Sequence, residues 1–201
     1  MKKPISVVLA VLMFVVAFQP SIAFAKTKTK PPTDWSVAIV ESTMKRYPTP
    51  KDLGNWAYPR GLYLYGQYLV YKRTHNPRYL QYIKDWVDTY VDANGVIRNT
   101  NAQGVVSEVK FDNLDSMNAG NLLLLLFQET REAKYKLAVD RIRLRFNTYP
   151  RTKDGGFWHG ASKSREWQLW GDGVFMSMPF LIRYGSLFGD SAYTNEEAAR
   201  Q

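Results

Sequence analysis

The chain has 201 residues and a mass of 23.2 kDa, with 45% hydrophobic and 22% charged residues, which excludes a wholly disordered or collagen-like polypeptide and suits one domain with a real core. Cysteine is absent and histidine occurs only as His75 and His159, so disulfides, thiolate metal sites and a cysteine nucleophile are excluded, and a zinc enzyme or histidine triad is poorly supplied. The net charge of +9 is concentrated in residues 1–30, which carry five lysines and no acid; beyond them 22 basic residues face 18 acidic ones, and no nucleic-acid motif accompanies that mild excess.

Lys2 and Lys3 precede an apolar run from Ile5 to Phe18, followed by small residues at Ala23 and Ala25. A positive start, a short apolar stretch and a small-residue cut site read as a signal peptide over residues 1–25, and therefore as a secreted or periplasmic protein without a membrane span after cleavage. An uncleaved anchor is the competing reading. Residues 26–32 (KTKTKPP) form a solvated tail, and the folded part is residues 33–201.

From there the pattern is helical. Thr33-Asp34 can cap a helix reaching Arg46, which Pro48-Thr49-Pro50 stops. A second helix is predicted from about Arg60 to Arg73. A third starts at Pro77, with Tyr79, Tyr82, Ile83, Trp86, Val87 and Tyr90 at helical spacing, and ends at Asn94-Gly95. Residues 96–114 read as an extended excursion with a short strand pair. Helices return over 118–129, 132–147, 173–187 and from 191 onward.

These helices repeat in pairs. Each pair opens with a glycine (Gly61, Gly120, Gly173) in an apolar helix, then turns, and a tyrosine (Tyr79, Tyr135, Tyr193) opens a more amphipathic helix. The tyrosines lie 56 and 58 residues apart. A period of that size with paired helices indicates stacked helical hairpins. Leu122 to Leu126 followed by Phe127 is apolar on every face, so neighbours must cover it all round. The expected fold is all-α: an (α/α)6 barrel, a six-hairpin toroid, of which about three hairpins are present.

In such a toroid the loops entering the inner helices converge at one end. Asp115 and Asp172 lie there, one repeat apart, each just before a helix. A helix N-cap is the competing reading for either one. Two carboxyls facing one cleft would repel, holding one protonated as a general acid beside a carboxylate. Trp56, Tyr58, Trp158 and Trp170 fall in loops or at helix starts, where flat aromatic faces suit sugar rings.

Four segments in order, Trp56-Ala57-Tyr58, FDNLDSMNAG over 111–120, PRTKDGGFWH over 150–159 and WGDGVFMSMPF over 170–180, resemble the unsaturated rhamnogalacturonyl hydrolases of glycoside hydrolase family 105. More distantly they resemble the unsaturated glucuronyl hydrolases of family 88. The resemblance implies an (α/α)6 barrel that removes a Δ4,5-unsaturated uronic acid from the non-reducing end of a pectin-derived oligosaccharide by hydrating its vinyl ether. It implies Asp172 as proton donor, Asp115 as the partner carboxylate, and Trp56, Tyr58, His159 and Trp170 as the sugar subsite, with no metal or organic cofactor. The family's Tyr-Pro-Asn-Gln is replaced here by Arg165-Glu166-Trp167-Gln168, which touches the lining for the leaving sugar. Family members are longer, so the chain corresponds to their amino-terminal half, and self-association through exposed half-barrel edges is expected. Two readings compete with hydrolysis: an inactive fragment or saccharide-binding pseudo-enzyme, and, more weakly, a polysaccharide lyase on the same barrel.

Overall fold

The computed structural model describes residues 33–201; the segments read as signal peptide and tail lie outside the described residues. Asp34 caps α1 (Trp35–Arg46), its carboxylate accepting from the Val37 amide. Three helical hairpins follow: α2 (Tyr58–Thr74) with α3 (Pro77–Tyr90), α5 (Gly120–Thr130) with α6 (Ala133–Arg145), and α7 (Gly171–Phe188) with α8 (Ser191–Arg200). A single turn, α4 (Asp115–Asn118), precedes α5. Between α3 and α4 the strands β1 (Arg98–Thr100) and β2 (Val106–Glu108) pair antiparallel, with Asn99 opposite Ser107. The described residues are thus all-α apart from this ribbon: three consecutive helical hairpins that do not close a ring, consistent with an incomplete six-hairpin (α/α) toroid.

The repeat has a physical basis at each turn. All three hairpins turn through two residues, and the first of each pair is left-handed: His75 (φ 56°), Arg131 (φ 61°) and Gly189 (φ 78°). Before the first two turns a threonine hydroxyl, Thr74 or Thr130, returns to the carbonyl four residues earlier. The repeated tyrosines tie each outer helix to the preceding one. Tyr79 donates to Glu41 on α1 at 2.8 Å, Tyr135 donates to Asp88 on α3 at 2.7 Å, and Arg143 of α6 lies 3.6 Å from the Tyr193 ring centroid.

Two of the repeated glycines permit close approach of neighbouring segments. A Cβ on Gly61 would stand 2.7 Å from the Ala119 Cα, and one on Gly120 would stand 2.7 Å from the Ile142 side chain. Leu122 to Leu126 are all buried, as their all-round apolarity requires. Each such side chain contributes about 1.5–3 kcal/mol on burial.

Helix starts differ from expectation by about two residues. Tyr58 and Gly171 already lie in the first turns of α2 and α7, because Pro59 is tolerated at a helix start and Gly171 continues the helical path. Asp172 is therefore inside the first turn rather than before it. The stretch expected as one helix from 118 is broken at Ala119 into α4 and α5.

Candidate active site

Two long loops deliver the site: residues 91–114 into α4 and 146–170 into α7. Backbone hydrogen bonds zip them together, from the Leu114 amide to the His159 carbonyl (3.0 Å) and from the Ala161 amide to the Asp112 carbonyl (2.6 Å). The His159 amide donates to the Gln168 carbonyl at 2.7 Å, which folds the second loop back on itself. The loops thereby place His159 between the two aspartates. Its Nε2 is 3.7 Å from Asp115 Oδ1, and its Nδ1 is 3.8 Å from Asp172 Oδ1. These separations exceed hydrogen-bond length; a protonated ring would be ion-paired on both edges.

Neither aspartate caps its helix. The Ser116 amide donates to the Asn113 side chain at 2.8 Å, so Asn113 serves that role for α4. Asp115 Oδ1 is buried without a hydrogen-bond partner, and so is His159 Nδ1. Asp172 is about half exposed (side chain 47%) at the start of α7, where the amide dipoles favour negative charge. Burial pushes the Asp115 carboxyl above its ordinary range; His159 and Arg165 oppose that rise, and the Asp172 charge adds to it. One ligand atom from each of Asp115, His159 and Asp172 lies within 4.8 Å of the others. Among the described residues this trio is where a cation could be held. The two carboxylates face opposite edges of the imidazole, however, which suits a ring shared between two acids better than an ion held by one nitrogen.

The expected sugar-binding aromatics divide. Tyr58 is one-third exposed in the first turn of α2. Trp56 is a correction: it is 3% exposed, stacked on Trp86 with centroids 5.5 Å apart, and its indole donates to the Ser116 carbonyl at 3.0 Å. No face is left for a sugar, and the ring instead buttresses α4 beneath Asp115. Trp170, at the N-cap of α7, is 38% exposed. His159 stacks on it at 4.1 Å with an 8° tilt, and the Arg165 guanidinium lies 4.0 Å from its ring. The ring thus orients His159 while part of its surface stays open.

A cleft of about 810 Å³ opens beside the pair, lined by Glu108, Lys110, Asp112, Asp115, His159 and Arg165 among others. Lys110 and Arg165 were not anticipated from the sequence; the one signal was the Arg-Glu-Trp-Gln departure, which marked the segment without assigning its charge. In that segment Trp167 holds a left-handed backbone (φ 62°), 5.2 Å from Trp158 and half exposed. For a bulky side chain that conformation is strained.

Comparison with known proteins agrees with this architecture. A family model described as Glycosyl Hydrolase Family 88 matches residues 35–201. A glycoside hydrolase from family 105 of C. acetobutylicum is 30% identical, with a TM-score of 0.72 over 84% of this chain and 44% of that one. A possible family 105 member from Klebsiella pneumoniae is 19% identical, with a TM-score of 0.62 over 86% of this chain and 48% of that one. A polysaccharide lyase, BACCELL_00875, shares the fold at 14% identity, with a TM-score of 0.53 over 83% and 45% of the two chains. The chain therefore spans about half the length of these solved relatives or less.

Proposed function

The chain belongs to glycosyl hydrolase family 88, and from that membership and the paired acids we propose that it acts in removing a Δ4,5-unsaturated uronic acid from the non-reducing end of pectin-derived oligosaccharides, as family 105 enzymes do. The observation that carries the reading is the cluster of Asp115, His159 and Asp172, of which Asp115 and His159 line the cleft, with neither carboxylate used as a cap. Their oxygens stand within 4.8 Å, nearer than the roughly 6.5–9.5 Å with which inverting glycosidases leave room for water between two acids.

The proposed step adds one water. The Asp172 carboxylic acid gives its proton to C4 of the enol ether, and the ring oxygen stabilises the cation left at C5. The resulting carboxylate takes a proton from water as that water's oxygen bonds to C5. The hemiketal then opens, and the anomeric carbon releases the next sugar with a free hydroxyl. Asp115, part-buried and with its carboxyl pushed above the ordinary range by that burial, sits across the His159 ring from Asp172. Export through the segment read at residues 1–25 belongs to the same proposal, since polymer fragments of this kind are met outside the cytoplasm.

The test follows absorbance of the double bond with an unsaturated rhamnogalacturonan disaccharide. Wild-type protein should remove the absorbance, and Asp172→Asn should slow that by about 10²–10⁴-fold, the usual contribution of a positioned acid. Equal rates for the two proteins, or no decay with wild type, would end the catalytic reading. A second reading, a saccharide-binding protein without turnover, is favoured by one fact: the chain covers only 44–48% of the two family 105 structures described above. Sugar binding that survives Asp172→Asn, with no decay in either protein, would establish it.

A further inference from the structure

Cations in the described residues are mostly spoken for. Arg73, Arg98, Arg143 and Arg151 pair with carboxylates, and Arg183 bonds Asn121 and Tyr65. Arg165 and Lys110 differ. Among the described residues neither has an ion pair, neither side chain makes a hydrogen bond, and both line the cleft beside Asp115 and His159. Arg165 is moreover braced: its guanidinium carbon lies 4.0 Å from the Trp170 ring centroid, and that ring is stacked on His159. The contacts from Arg165 through Trp170 to His159 hold the guanidinium beside Asp115. A guanidinium held this way has lost much of its side-chain freedom before any ligand arrives, and its geometry matches a carboxylate through two parallel hydrogen bonds.

We propose that Arg165, assisted by Lys110, is the anion anchor of this cleft and selects saccharides carrying a carboxylate at the bound end. The inference rests on the functional reading above and names the residue that gives it charge specificity. The cleft also contains Glu108 and Asp112, but each is occupied, by Arg141 at 3.9 Å and Arg145 at 3.4 Å. The charged groups of the cleft wall without such a partner are thus the two cations and Asp115 beside His159. The carboxylate has two sources: the terminal uronate, or an acidic leaving sugar.

The experiment separates binding from turnover. Calorimetry measures saturated digalacturonate, a carboxyl-reduced analogue, and a disaccharide of one uronate on rhamnose, each against wild type, Arg165→Gln, Arg165→Lys and Lys110→Ala, with thermal melts confirming folding. Arg165→Gln should weaken both acidic ligands about tenfold or more and leave the reduced analogue unchanged. Arg165→Lys should recover part of the loss, and added salt should weaken the wild type toward the variant. A loss confined to digalacturonate assigns the anchor to the leaving sugar; equal loss on both acids assigns it to the terminal uronate. Equal weakening of acidic and reduced ligands, unchanged affinity in Arg165→Gln, or no uronate binding by wild type overturns the proposal. Because the ligands are saturated, a failed hydrolase reading leaves these outcomes intact.

Discussion

Asp115 is held where ionisation is disfavoured, and this gives it a measurable signature apart from catalysis. Its folded pKa stands above the ordinary 3.8, so the folded chain binds that proton more tightly than the unfolded one. The associated stability is present below 3.8 and is lost as pH rises through the raised value. Asp115→Asn stays neutral throughout. The variant should therefore melt higher than wild type at pH 7, by about 2 °C, with the gain shrinking toward pH 3. Paired melting curves across that range check it, and a variant less stable at pH 7 would mean that His159 outweighs burial. The residue types and their spacing marked both aspartates, but the sequence left each open to a capping role. Only Asn113, bonded to the Ser116 amide, removes that alternative for Asp115. Trp56 shows the converse: a tryptophan near a helix start has the same one-dimensional look whether it faces a ligand or Trp86, and only its long-range partners, Ser116 and Asn99, decide.

The helical hairpin is the element that the sequence disclosed most fully. Its period, and in the first two repeats its tyrosines and glycines, answer to contacts between neighbouring helices. The turn is where repeats differ in cost. A left-handed residue is unstrained in glycine at 189 but strained at His75 and Arg131. His75 accepts or donates no side-chain bond at its exposed turn, so His75→Gly should relieve the backbone and stabilise the fold by about 0.5–1 kcal/mol. Gly189→Ala should cost about 1 kcal/mol in turn. Urea titrations of the two variants test the pair; a destabilised His75→Gly would mean that unfolded-chain entropy outweighs the strain. Boundaries were less legible than the repeats. The break at Ala119 follows from α4 being tied to Asn113 while α5 is tied to its own apolar neighbours, and no local propensity in Asn118-Ala119-Gly120 announces it.

At the scale of the whole molecule, the three inner helices are unequally covered. Leu122 to Leu126 of α5 are enclosed between α2 and α7, whereas the outer flank of α7 is not: Val174, Phe175 (50% exposed) and Ile182 stand open. Phe175 and Pro179 share one depression with Leu62 and Tyr65 of α2, and Ile182 continues the surface along α7. Such a contiguous apolar face drives association unless something covers it. No helix among the described residues is long and apolar enough to cross a membrane. The chain alone should therefore self-associate, with a sedimentation mass that climbs with concentration. Combining Phe175→Glu with Ile182→Glu places two charges on that flank, and the variant should hold the mass of one chain across the same range while keeping its helical content. A wild-type chain that stays monomeric at every concentration would show that the half-exposed side chains of α7 are tolerated singly, and the argument from its flank would fail.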